Sequence, residues 1–367
     1  MTISRSTATL SREKSAKTLG SSFEWVRKNL FSTWLNTLLT VLVFASLVWF
    51  AVPAFRWAFI DSIWSAGNAN ACEAAAGACW AFIGEWYRFI LFGRFPFEQQ
   101  WRPLLVIIIF IVCFGALCVP SLRGKPLISV LAVGAISIFV LMSGGVLGLA
   151  HIDTSFWNGL PLTLILSVFG LVAAFPFALV LALGRRSRRA WVRIPCTMYI
   201  ELIRGVPLVT VLFLASVMLP AILPGGNLVD KLVRAEVAFA LFYAAYLAEA
   251  IRGGLQAIPN GQYEAAEALG VRRSIAMRLI ILPQALTLVI PAMTNIFISA
   301  FKDTTLVLVI GMYDLLLTTT TALGDPEWRG FYLEGYVFTS AIYFGFCYFM
   351  SKYSGYLEKA FNRGHKH

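Results

Sequence analysis

Eight apolar runs divide this chain, at residues 31–52, 103–120, 127–149, 159–183, 195–219, 235–252, 281–300 and 335–356. A hydrocarbon layer about 30 Å thick takes about 20 residues of helix to cross, so each run predicts a transmembrane helix. The pattern therefore predicts an all-α integral membrane protein. Residues 1–30 are polar and basic, and the first run is too long for the core of a signal peptide, so it is expected to stay as an anchor. Residues 281–322 do not fit one straight span. Counting them as two full spans would put the basic C-terminal segment on the wrong side of the membrane. The expectation is one span, bent at Pro283 and Pro291, followed by a broken or re-entrant helix at FKDTTLVLVIGMYDLL that returns to the outer side.

Charge sets the orientation. With the N-terminus inside, the inner segments hold 21 of the 30 Lys and Arg residues and the outer segments seven, so both termini are expected in the cytoplasm. The net charge of +11 then follows from topology and anionic lipid, and no basic soluble surface remains for nucleic acid. A chain that is 59% hydrophobic and 13% charged is not a soluble globular protein. Cys113, Cys118, Cys196 and Cys347 fall in apolar runs as small core residues. Cys72 and Cys79 fall in the long outer segment, where an oxidising compartment favours a disulfide over two free thiols. In the same segment WAFIGEWYRFILFG, from Trp80 to Gly93, is aromatic and amphipathic. It either lies among lipid headgroups or packs on the chain's own spans.

The most informative polar island is Glu264–Pro283, EAAEALGVRRSIAMRLIILP. Asn260 and Gly261 after Pro259 are a helix start, and Gly270 stands where a glycine would end it. On that short helix Ala265, Ala268 and Leu269 share one face, while Glu264 and Glu267 share another. Small residues with a carboxylate rim suit close docking of another protein. The spacing of Glu264, Ala265, Ala266, Gly270, Ile280, Leu282 and Pro283 also resembles the cytoplasmic loop of ABC importer permeases that work with binding proteins. In that family the loop is a coupling helix seated on the ATPase subunit, which would make Glu264–Gly270 the docking residues here.

Two further stretches resemble the polar amino-acid subgroup of those permeases. ELIRGVPLV carries Glu201 and Arg204 three residues apart, with Gly205 and Pro207 allowing a break. They can pair on one face, and a structural ion pair locking two spans together is the favoured reading over substrate contact. Lys302, Asp303, Thr304 and Thr305 match a segment that has serine at the last position. A cation, an anion and two hydroxyls are what a zwitterionic amino acid needs, so these four are the leading candidates for the substrate path. Adjacent Lys302 and Asp303 point in different directions on a helix, so one of them can be purely structural. Glu249 and Arg252 are expected to anchor the docking loop at its root. GRRSRRAWVR, at 184–193, reads as a solvated positive-inside cluster.

Phosphate-loop, metal-ligand and catalytic patterns are missing from the sequence: none of the nine lysines lies in a G-x-x-x-x-G-K-[ST] loop. The chain is therefore expected to be a transport subunit and not an enzyme. The resemblance implies a type I ABC importer fold in residues 158–367, five helices deep. Residues 1–157 form an extension with three spans and offer no site. This longer form looks like the M-type membrane subunit of general L-amino-acid importers of Gram-negative bacteria. It implies an inner-membrane location, a second and different permease chain, two ATPases that bind ATP and Mg, and a periplasmic amino-acid-binding protein. An ion-coupled secondary transporter is the alternative; it would call for an internal repeat of spans, which the sequence lacks.

Overall fold

A computed structural model describes residues 24–65, 69–73, 76–222 and 229–362. Arg5, Arg12, Lys14 and Lys17 of the basic N-terminal segment, and nearly all of the C-terminal NRGHKH, lie outside the described residues. The described structure is helical, and the chain divides into two units, Met1–Ala81 and Phe82–His367.

In the first unit, α1 (Trp34–Phe55) runs into a π-helical turn, Arg56–Ile60. Not one residue of α1 is buried. Its polar side chains are quenched locally: the Thr37 hydroxyl donates to the Thr33 carbonyl at 3.0 Å and that of Thr40 to the Asn36 carbonyl at 2.7 Å. An apolar helix whose hydroxyls bond its own backbone is suited to lipid on all sides. Cys72 and Cys79 are joined by a disulfide, with Cα atoms 5.6 Å apart.

The second unit begins within α2 (Trp80–Phe92) and continues with the hairpin of α3 (Trp101–Leu117) and α4 (Lys125–Ser143). Then come α5 (Gly159–Arg185), α6 (Ala190–Gly205), α7 (Leu208–Phe213) and α8 (Lys231–Ala257). The centre of the unit is the pair α5 and α8, which make the most extensive contact of any two helices. Gly170, Ala174, Ala178 and Ala182 recur every four residues on α5 and are buried. Such a stripe lets helix backbones approach, which is how helices associate where lipid removes the hydrophobic drive. A Cβ at Gly170 would lie 2.8 Å from the Phe239 ring of α8, so a larger residue there would push the pair apart.

The remaining longer helices are α9 (Asn260–Ala268), α10 (Leu282–Leu288), α11 (Ile290–Asp303), α12 (Leu315–Ala322) and α13 (Tyr332–Asn362). Among the described residues five helical stretches are long and apolar enough to cross a membrane: Trp34–Ile60, Phe97–Leu117, Lys125–Ser143, Gly159–Arg185 and Ile290–Ile310. The pair Ala190–Gly205 and Leu208–Ile222 adds a sixth if it is one span. Helices α8 and α13, at 27 and 31 residues, are long enough, and their polar residues keep them out of that class.

Two of the expected spans are redrawn, each at a break the sequence allowed, Gly205–Pro207 and Pro291. Residues 195–219 do not form one rod, because α6 and α7 meet at 105°. Val206 precedes Pro207, whose ring disfavours helical backbone there, and Val206 is extended at φ −105° and ψ 136°. The run 281–300 is likewise interrupted at Val289, and the apolar stretch is Ile290–Ile310. Pro291 sits in the first turn of a new helix, where a missing N–H costs nothing, while Pro283 follows a π-helical turn, Met277–Ile281, inside a continuous helical run.

Candidate functional site

The candidate docking helix α9 follows the end of α8. Of the residues singled out, Glu264, Ala265, Glu267, Ala268, Leu269 and Gly270 are exposed, and Ala266 alone is buried. Leu269 is 80% exposed, an apolar side chain left bare beside two small alanines. Gly270 closes the helix at φ +70°, and the next amide, of Val271, returns to the Ala266 carbonyl at 3.0 Å. That left-handed position suits glycine because a Cβ would be strained there.

The root of this helix is held by a residue assigned in the sequence to a solvated cluster. Arg186 donates to the Leu255 carbonyl at 2.8 Å and to the Tyr263 hydroxyl at 3.2 Å, tying the end of α5 to both α8 and α9. Arg185 is also turned inward. It reaches Glu201 at 2.7 Å and Glu249 at 3.0 Å. Glu249 further pairs with Arg252 and approaches Arg204 at 4.0 Å. Two expectations are thus corrected. The GRRSRRAWVR cluster is not wholly solvated, and the described ion pairs do not include one between Glu201 and Arg204. Glu201 instead faces Arg185 across the α5–α6 turn, while Arg204 comes within 4.0 Å of Glu249 on α8. Glu249 and Arg185 keep 23% and 21% of their side-chain surface exposed, enough to retain partial hydration of the charges.

The second candidate region is the end of α11 together with residues 304–322. From Thr304 the chain tightens into a 3-10 stretch, Thr304–Ile310, which ends at Gly311 with φ +68°. Asp314 then starts the short helix α12, accepting from the amides of Leu317 at 3.0 Å and Leu316 at 3.1 Å. Its carboxylate also accepts from the Tyr343 hydroxyl at 3.3 Å, and the residue is fully buried. The amide of Leu315 donates to the Thr163 hydroxyl of α5 at 3.1 Å. The break is therefore bonded closely to its surroundings, as non-helical backbone in an apolar setting requires.

Of the four path candidates, Asp303 is half-buried and accepts from the Tyr243 hydroxyl of α8 at 2.5 Å. Lys302 is exposed, Thr305 half-buried, and Thr304 fully buried with its hydroxyl donating to the Phe301 carbonyl at 2.8 Å. The structure brings Asp303 and Tyr243 together and does not join Lys302 to them. Glu201 and Arg204 belong to the separate ionic cluster around Glu249.

Sequence reasoning missed three residues. Tyr243 reads as one more aromatic in an apolar run. Asp314 carries the signal of a helix cap, an acid before an apolar stretch. Glu236 of α8 has both carboxylate oxygens buried with no hydrogen-bond partner, one helical turn before Phe239. A carboxyl inside an apolar run was signal enough to find it.

Known proteins resemble this chain over most of its length. Residues 174–363 match the family described as "Binding-protein-dependent transport system inner membrane component". The inner membrane amino-acid ABC transporter permease protein YhdY of Escherichia coli K12 is 46% identical over 343 residues, 93% of each chain. The glutamate/glutamine/aspartate/asparagine transport system permease protein BztC of Rhodobacter capsulatus is 36% identical over 412 residues, 94% of this chain and 95% of its own. Among solved structures, an amino acid ABC transporter crystallised with histidines is 34% identical with a TM-score of 0.49, over 55% of this chain and 92% of that one.

Proposed function

This chain belongs to the inner membrane components of binding-protein-dependent transport systems, and from that premise we propose how it moves its substrate. It is a permease subunit of an ABC importer for amino acids, a multi-pass protein of the inner membrane, and it does not itself hydrolyse ATP. ATP and Mg are bound by a partner ATPase. A binding protein delivers the substrate. In our reading the working complex holds this chain, a second and different permease, two ATPases and a periplasmic protein for polar or general L-amino acids. Both termini lie in the cytoplasm, and residues 158–367 are the permease core, with 1–157 as its extension.

The observation that carries this reading is the state of α9, fixed at its root by Arg186 and bare on its outer face. A helix of nine residues with one buried side chain has little packing of its own, so a partner is the natural source of its remaining stability. The ATPase groove takes the face formed by Ala265, Ala268 and Leu269, with Glu264 and Glu267 as its charged rim. Closure of the ATPases then pulls α9, and through Arg186 and the Glu249 cluster the pull reaches α5, α6 and α8. Substrate passes the break after α11, where Asp303 and Tyr243 offer an anion and a hydroxyl, and Lys302, Thr304 and Thr305 complete the polar set.

Affinity purification of this chain from detergent-solubilised membranes tests the reading. The expected result is recovery of an ATPase subunit, lost on Glu264→Lys while the chain itself stays in the membrane. Recovery of the chain alone, with uptake intact in vesicles lacking ATP, would replace the reading with an ion-coupled transporter.

A further inference from the structure

We infer that α2 and Arg94, in the stretch where the sequence offered no site, are a working part of the permease, with Arg94 the positioning residue for the re-entrant segment Thr304–Ala322. The inference rests on the reading of that segment as part of the substrate path.

Three helix ends interlock here. The Thr318 hydroxyl of α12 donates to the Ile90 carbonyl at 2.7 Å, one of the carbonyls that the last turn of α2 leaves without a helical partner. The amide of Gly159, at the start of α5, donates to the Tyr313 carbonyl at 2.7 Å. Gly159 has φ +68°, and a Cβ there would stand 2.2 Å from the Leu91 carbonyl oxygen, so the backbones of α2 and α5 meet with nothing between them. Arg94 then closes the arrangement. Its guanidinium donates to the Tyr313 hydroxyl at 2.5 Å and lies 4.1 Å from the centre of the same ring. A cation held both over the ring and at its hydroxyl fixes the ring's position and its rotation. Tyr313 is the residue before Asp314, the cap on which α12 is built. At the other end of α2, Phe82 is fully buried and packs on Trp328 and Phe331, with ring centres 6.1 and 6.5 Å away. The re-entrant helix is thus gripped before and after by one helix from outside the five-helix core.

The experiment reconstitutes the complete complex in liposomes and measures ATP-driven uptake against the concentration of substrate-loaded binding protein. Arg94→Ala is expected to lower the maximal rate about tenfold, with half-saturation unchanged and the ATPase still co-purifying. Arg94→Lys, which keeps the charge and loses the planar stacking, is expected to fall between the two. A maximal rate within twofold of the parent in Arg94→Ala would overturn the proposal. So would a change confined to half-saturation, which would make Arg94 a contact for the binding protein. Should Arg94→Ala fail to assemble, Tyr313→Phe removes the hydroxyl alone; it is expected to slow uptake about threefold, and an unchanged rate overturns the proposal. Asp303→Ala measured in parallel separates the two readings. Loss there with Arg94→Ala unchanged removes the brace alone. The reverse pattern removes Asp303 from the path and keeps the brace on α12.

Discussion

Helices α9 and α12 are nearly the same length, nine and eight residues, and they solve opposite problems. Helix α9 starts after Pro259 with no side-chain cap, buries only Ala266, half-buries Tyr263 and presents the rest. Helix α12 starts at a fully buried Asp314 that accepts two amides, and it buries Leu315, Thr318, Thr319 and Ala322. Of its four consecutive threonines Thr318 donates to the Ile90 carbonyl, and the other three each return a hydroxyl to a carbonyl three or four residues back, as Thr319 does to Leu315 at 2.8 Å and Thr321 to Leu317 at 2.7 Å. Under the proposed docking role, α9 keeps its surface bare until a partner arrives. A short helix inside the membrane protein has no later partner and no water, so each polar group must be matched within the chain.

That contrast is sharpest when the cap of α12 is removed. Asp314→Ala strands two buried amides and the Tyr343 hydroxyl, a cost of about 2–4 kcal/mol. The expected outcome is a large loss of assembled protein from the membrane, measured by the amount recovered in detergent and its thermal midpoint. An equivalent change on α9, such as Ala265→Ser, should leave the isolated chain as stable as the parent, because that face is bare.

A smaller effect is expected where the path is polar without bearing the fold. Asp303→Ala should cut uptake about tenfold with the complex intact, and Tyr243→Phe about threefold, since the carboxylate keeps its charge and loses one donor. Uptake unchanged in both would take this pair out of the path.

The smallest effect is expected at the tether of α9. Arg186→Met keeps much of the length of the side chain and removes its bonds to Leu255 and Tyr263. The helix should still bind the ATPase, while the number of substrates moved per ATP falls about threefold, as a loosened lever would give. An unchanged ratio would assign the transmission to other contacts, with the Glu249 cluster the next to test.

The legible parts of the molecule share a cause. The start and stop of α9, at Pro259–Asn260 and Gly270, depend on residues within one or two turns of each other, so the sequence displays them. The break after Asp303 was readable from length and charge alone, since residues 281–322 are too long for one span and too apolar for a loop. The pairings were not readable. Glu201 and Arg204 are near neighbours in sequence and still choose Arg185 and Glu249, because those partners sit at the end of α5 and on α8, which pack beside α6. Arg185 and Arg186 looked like solvent-facing arginines for the same reason. Their partners lie 64 and 69 residues away, at Glu249 and Leu255.

By itself, then, the sequence determined most of the helices and the exposed short helix α9 with its glycine stop, because hydropathy, Pro and Gly act locally. Tertiary structure alone decided which charges meet and that the end of α2 and Arg94 contact α12 and Tyr313. Packing of α5 on α8 through Gly170, Ala174, Ala178 and Ala182 brings distant helix ends to hydrogen-bonding distance. A hydrogen bond is decided by tenths of an ångström, and no spacing along the chain records those distances.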